Sequence, residues 1–175
     1  MGAGSLLLPS EKITHCQCVS TEHALLGAKE GSRFIGEDIL VSRRLAREVA
    51  LRVLYQVEVG RTDVEEALRY NADELGLPAP YRDFAAELCK GTLAHLEHLD
   101  YVVEAHSVDW RIERMPYVDR NILRMAVYEL LYRPEIPVSV TVNEAVELAK
   151  TYGDVNSGRF VNGILGNLAR AGRLS

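Results

Sequence analysis

From Ser42 almost to the end of the chain, apolar residues return at intervals of three and four, and this regularity decides the fold class. Such a period lines apolar side chains along one face of a helix, and those faces must be buried against one another. No segment alternates polar and apolar residues for long enough to supply a half-buried strand. The pattern predicts an all-α bundle of about seven helices with short connections and no solenoid repeat.

Caps and breakers set the expected boundaries. Ser42 is positioned to cap a first helix whose apolar face is Leu45, Val49, Val53 and Val57, widened by Ala46, Ala50 and Leu54, with Gly60 as its stop. Thr62 and Glu65 have capping-box spacing ahead of a second helix through Val64, Ala67 and Leu68. After the Gly76-Leu77-Pro78-Ala79-Pro80 loop, one long helix is expected from about Tyr81 to His106. Trp110 and Ile112 fall in a short turn before Pro116. Next comes a helix from Val118 to Tyr132, with Ile122, Leu123, Ala126, Val127, Leu130 and Leu131 inward. Pro134 and Pro137 break the chain, a helix through Val142, Ala145, Val146 and Ala149 ends near Gly153, and Asn156 or Ser157 opens the last one.

Residues 1–41 lack this period. They are expected to form an extension without stable structure ahead of a domain at 42–175. Gly36 to Val41 is compatible with a purine-rich ribosome-binding sequence followed by a GTG start at Val41. On that hypothesis, motivated by the change in composition, the preceding residues are a translated leader; peptides from residues 1–40 in the native protein would exclude it. His15, Cys16, Cys18 and His23 are potential metal ligands, but no second ligand pair accompanies them, so no metal site is expected. Three cysteines make no disulfide framework, and Cys89 in its apolar stretch reads as a small buried side chain. The sequence holds neither a membrane-length apolar run nor a signal peptide, so a cytoplasmic protein is expected.

Signs of catalysis are missing. The phosphate-loop, dinucleotide-binding, zinc-protease and nucleophile-elbow motifs do not occur. His95 and His98 share a helical face without further ligands and read as surface histidines, and Glu87 is expected to pair with Lys90. Neither an enzyme nor a cofactor is expected.

The first helix is more informative. Although the chain carries a formal net charge of -5, Arg43, Arg44, Arg47 and Arg52 crowd the N-terminal half of that helix. Cations are unfavourable at the positive end of a helix dipole, so an anionic partner is implied. Arg44, Leu51 and Tyr55 lie along one side of the wheel with Arg47 adjacent, away from the apolar stripe. Guanidinium groups for phosphates beside an aromatic ring for a base suit single-stranded RNA. Equally, these arginines are compatible with a solvated face paired to Glu48.

Four blocks then carry a resemblance. They are Arg43-Arg44-Leu45-Ala46-Arg47 continuing to Leu54-Tyr55-Gln56, Val118 through Leu130, Val142 through Lys150, and Arg159-Phe160-Val161-Asn162-Gly163-Ile164-Leu165. In order and spacing they resemble the NusB family of transcription antitermination factors over nearly all of residues 42–174, with Val53 replacing the family's alanine. The resemblance implies binding to boxA RNA of nascent ribosomal transcripts together with NusE, a small-subunit ribosomal protein. Other Nus factors and RNA polymerase are then joined indirectly.

Carried over by position, RNA contact falls to Arg43, Arg44, Arg47 and Tyr55, with Asn156, Arg159 and Phe160 at the start of the last helix. A helix N-terminus suits phosphate and Phe160 offers a stacking surface, although Phe160 equally fits core packing. Asp119 and Tyr128 become candidates for the NusE surface; their plainer reading is a salt link to Arg120 or Arg124 and a rim tyrosine. Asn143 and Glu144 are expected to cap and order their helix, and Asn162 and Gly163 to serve packing. Three alternatives fit the same resemblance: the NusB-like domain of an rRNA methyltransferase, which needs an α/β domain beyond Ser175; a protein-only adaptor; and a homodimer with its RNA face buried.

Overall fold

The computed structural model describes residues 34–107 and 110–171, with side chains from Arg43 onward. Seven α-helices follow in order: α1 Phe34–Gly60, α2 Val64–Glu74, α3 Ala79–Ala94, α4 Leu96–His106, α5 Tyr117–Tyr132, α6 Val138–Tyr152 and α7 Ser157–Arg170. One 3-10 turn, Ile112–Arg114, precedes α5, and the described residues contain no strand. The all-α expectation holds. The potential ligands His15, Cys16, Cys18 and His23 lie outside the described residues.

Several boundaries differ from the sequence reading. The first helix starts at Phe34, so Ser42 lies in its interior rather than at its start. At its other end Gly60 is the last helical residue, and Arg61 rather than the glycine takes the left-handed conformation, φ 52°. Asp63, not Thr62, caps α2, accepting from the N–H groups of Glu65 at 3.0 Å and Glu66 at 3.1 Å.

The long helix expected over 81–106 is two helices, broken at His95. There a ring nitrogen of His95 lies 2.8 Å from the Gly91 carbonyl, which a continuous helix would offer to the His95 N–H. That N–H bonds to Thr92 O at 3.3 Å instead, and the ring packs 4.4 Å from Tyr132. The chain turns because a side chain replaces one rung of the ladder.

Helix α5 is the axis of the bundle. It packs against α1, α3, α4, α6 and α7, and every residue from Asn121 to Leu130 is buried. Its polar side chains are therefore paired inside the bundle. Glu58 of α1 accepts from Arg120 at 2.6 Å, Asn121 at 2.7 Å and Arg124 at 2.9 Å, while Arg124 also donates twice to Asp100 of α4, at 2.6 and 2.8 Å. Such bidentate, charge-assisted bonds are the strong kind. They tie α1, α4 and α5 together where an apolar stripe alone would allow sliding.

The same cluster makes a pH prediction. Burial pushes the Glu58 carboxyl up, but its bonds to Arg120, Arg124 and Asn121 outweigh that and hold it below its usual 4.5. A carboxylate depressed by folding contributes stability that is present above its unfolded pKa and lost as pH falls through the folded one. Urea midpoints should hold near neutrality and fall below about pH 4.5, and Glu58→Gln should flatten that acid limb. An equally steep limb in the variant would place the acid-sensitive group elsewhere.

Cys89 is buried, with its thiol 3.7 Å from the Ala50 carbonyl and pushed up by burial, as befits an inert core residue. Lys90 pairs with Glu65 at 2.6 Å, and Glu87 pairs with Arg133, so the expected Glu87–Lys90 link does not form. Asn143 and Glu144 sit inside α6, which opens after Pro137, and so do not cap it. Asn162 and Gly163 are exposed rather than packed, with open space around Gly163.

Candidate nucleic-acid interface

The residues singled out in the sequence separate into an interior set and a surface set. Arg47 is interior. It is 3% exposed and donates to Glu129, itself 1% exposed, through Nε at 2.6 Å and Nη2 at 2.8 Å. Thr141 Oγ1 adds a bond to the same carboxylate at 3.0 Å. Arg47 therefore has no surface to offer a phosphate. With α1 starting at Phe34, Arg47 sits mid-helix, away from the positive end of the dipole that suggested an external anion, and the anion it does pair with is in the core.

Asp119 and Tyr128, expected on a partner-binding surface, are buried too, at 3% and 7% exposure. Asp119 accepts from Ser157 Oγ at 2.9 Å rather than from Arg120 or Arg124. Tyr128 lies across α3 at Gly91, where a Cβ would stand 2.1 Å from Tyr128 Cζ, and stacks on Tyr132 at 5.1 Å. Only glycine at 91 lets the two helices come this close. Leu51, read along the outward side with Arg44 and Tyr55, is buried at 3% because α2, α3 and α5 enclose most of α1.

The surface set is Arg43, Arg44, Tyr55, Asn156, Arg159 and Phe160. Arg43 is half-buried, its guanidinium 5.5 Å from the centre of the Phe84 ring, and Arg47 approaches the same ring at 5.4 Å. Arg44 is exposed and reaches across to α6, where Glu144 lies at 3.5 Å and Glu147 at 3.8 Å. Arg52 pairs with Glu48 at 3.3 Å, so the plain ion-pair reading holds for that arginine. Burial, aided by Glu48, pushes the Tyr152 hydroxyl up to about 12. Tyr55 stands about 18 Å from Arg43 along α1, at 1.5 Å per residue.

Tyr55 and the start of α7 both meet the first turn of α5. Tyr55 packs edge-on against Tyr117 at 6.3 Å, and the Arg120 guanidinium covers the other ring at 4.2 Å. Two residues along α5, Asp119 holds Ser157 at the head of α7. Asn156 occupies the cap position there but makes no side-chain capping bond, and both Asn156 and Arg159 are exposed. Phe160 is half-buried, edge-on to Trp110 at 5.6 Å. The ring thus packs against the core, as one of its two readings expected, and keeps part of its surface open.

Trp110 and Tyr117, at 49% and 48% exposure, extend this aromatic surface and were missed as site residues. Their signal was available: two large aromatic side chains in a polar connection, interleaved with Arg111 and Arg114. Among the described residues no group of His, Cys, Asp or Glu side chains is placed to hold a metal ion, and no helix is long and apolar enough to cross a membrane.

Fold and surface together define a small helical binding protein whose arginines and aromatic rings lie on α1, α7 and the approach to α5. The chain belongs to the NusB family, whose model matches residues 44–170. It is 52% identical to the transcription antitermination protein NusB of Pelotomaculum thermopropionicum over 131 residues, 75% of this chain and 91% of that one. With the NusB of Desulforamulus reducens it shares 48% over 128 residues, 73% and 90% of the two chains. Among solved structures, T. maritima NusB superposes with a TM-score of 0.68 at 39% identity, over 73% of this chain and 90% of that one. A crystal structure of the antitermination factors NusB and NusE in complex with dsRNA matches at 30% identity and a TM-score of 0.68, over 75% and 98%.

Proposed function

We propose that this chain is a transcription antitermination factor that binds boxA-type RNA of nascent ribosomal transcripts jointly with NusE, and that it acts by assembly rather than by turnover. The observation that carries the reading is the shared fold with the RNA-bound complex of NusB and NusE, on which this chain presents Arg43, Arg44, Tyr55, Asn156, Arg159 and Phe160. Arg43 and Arg44 in the body of α1 neutralise phosphates, and the rings at the joint of α1, α5 and α7 stack unpaired bases. The acidic total charge keeps this attraction local, so selectivity rests on the strip and the partner rather than on general affinity for polyanions. Relatives of which this chain spans about nine-tenths carry the antitermination name, which favours a factor over one domain of a methyltransferase.

The decisive experiment is fluorescence anisotropy of a boxA RNA against a scrambled RNA at physiological salt, with and without NusE. Tighter binding to boxA that strengthens when NusE is added is the expected result. Equal affinity for both RNAs in both conditions would remove the antitermination reading and leave a helical adaptor.

A further inference from the structure

The turn between α6 and α7 is built to a tolerance that its exposed residues do not require for themselves. Gly153 follows α6, and a Cβ there would stand 2.5 Å from the Ser157 side chain and 2.7 Å from Ala149 O, so the chain folds back in contact with its own next turn. Ser157, 3% exposed, uses its hydroxyl twice. The oxygen accepts the Asp154 N–H at 2.8 Å, and the proton is donated to Asp119 Oδ2 at 2.9 Å. A hydroxyl has one proton, so Asp119 decides where it points. At Gly158 a Cβ would approach Lys150 Cγ to 2.9 Å, closing the turn on its other side. Val155, Asn156 and Arg159 are left facing solvent around this braced core.

The carboxylate is costly where it sits. Asp119 Oδ1 is buried without a hydrogen-bond partner, and burial, with the nearby Asp154 charge, pushes the carboxyl above its usual value. A buried acceptor left unpaired destabilises a fold, and a shape-matched apolar pair would avoid that penalty. The position tolerates it in return for a direction: α5 dictates, through one hydroxyl, where α7 begins.

We propose that Asp119 is a positioning residue for RNA binding, acting through Ser157 to hold Asn156, Arg159 and Phe160 in register with Tyr55. This rests on the RNA-binding reading above, and it replaces contact with a protein partner as the role of Asp119. Tyr55 and the head of α7 are both referred to the first turn of α5, Tyr55 through Tyr117 and α7 through Asp119. Loosening the Asp119 link separates a stacking ring from the charges that accompany it, and binding then bears the ordering cost that the brace removes.

The test compares wild type, Asp119→Ala, Asp119→Asn, Ser157→Ala and the double Asp119→Ala/Ser157→Ala in the full chain. Each is measured for boxA RNA affinity, NusE affinity and amide hydrogen exchange. Asp119→Ala and Ser157→Ala should each weaken RNA binding about three- to tenfold, the size of one hydrogen bond, and the double variant little more, because both cut the same link. Asp119→Asn keeps an acceptor for Ser157 and should stay close to wild type. Exchange should rise at residues 154–160 and not in α1 or α3, and NusE affinity should not move. Loss of NusE affinity with RNA affinity intact would return Asp119 to the partner surface. Unchanged RNA affinity and exchange would show that the brace positions nothing. Should wild type itself ignore boxA, the functional reading fails, whereas the exchange pattern still decides whether the pair holds the turn.

Discussion

Glu129→Ala should lower the stability of the bundle by about 3–5 kcal/mol, the scale for breaking one side of a buried ion pair. Removing the carboxylate strands a guanidinium that is 3% exposed and leaves Thr141 Oγ1 without its acceptor. Neither group can reach water without unpacking α1 or α6 from α5. For a domain of this size the loss corresponds to a fall in melting temperature on the order of 10 °C. Arg47→Ala should be as damaging, whereas Arg47→Met combined with Glu129→Leu should recover much of the loss, since a well-packed apolar pair escapes the desolvation penalty. Urea unfolding of the four proteins checks this. A loss below about 1 kcal/mol in either single variant, typical of an exposed pair, would mean that water reaches the site.

Arg43→Ala combined with Arg44→Ala should instead leave the fold standing and damage binding. Each phosphate contact to a single strand contributes about 0.7 to the slope of log affinity against log salt, so losing two should flatten that slope by about 1.4. At physiological salt the affinity should fall on the order of tenfold or more. Arg44 is exposed but partly neutralised by Glu144 and Glu147, so its share depends on exchanging those carboxylates for phosphate. Arg43, held over Phe84, starts from a restrained position and gives up less freedom on binding. Titration at several salt concentrations separates these arginines from Arg47, whose removal should cost stability without changing the slope of the folded fraction. An unchanged slope in the double variant would take the RNA path away from Arg43 and Arg44.

Arg47→Ala and the Arg43/Arg44 double variant replace arginines of one cluster with opposite expected effects, and sequence spacing could not tell those arginines apart. Arg43 and Arg47 are four apart and share a face over Phe84, yet one keeps contact with solvent and the other ends in a carboxylate 82 positions away. The apolar period of α5 was legible because periodicity reports one buried stripe. Its full enclosure was not, because burial of the opposite face depends on how many neighbours surround a helix. Asp119, Arg124 and Tyr128 looked like surface chemistry for that reason. The break at His95 was hidden in the same way, since the ring that takes the Gly91 carbonyl is itself packed against Tyr132 on another helix.

The sequence by itself determined the helical class, most of the element order, the inert core role of Cys89 and the blocks that carry the family resemblance. These follow from local rules: period, capping, breakers and residue type act within a few positions of one another. Only the tertiary structure decided which charges face water. The fate of an arginine or an aspartate is set by a partner far along the chain, and a buried charge is kept only where that partner arrives at hydrogen-bond distance.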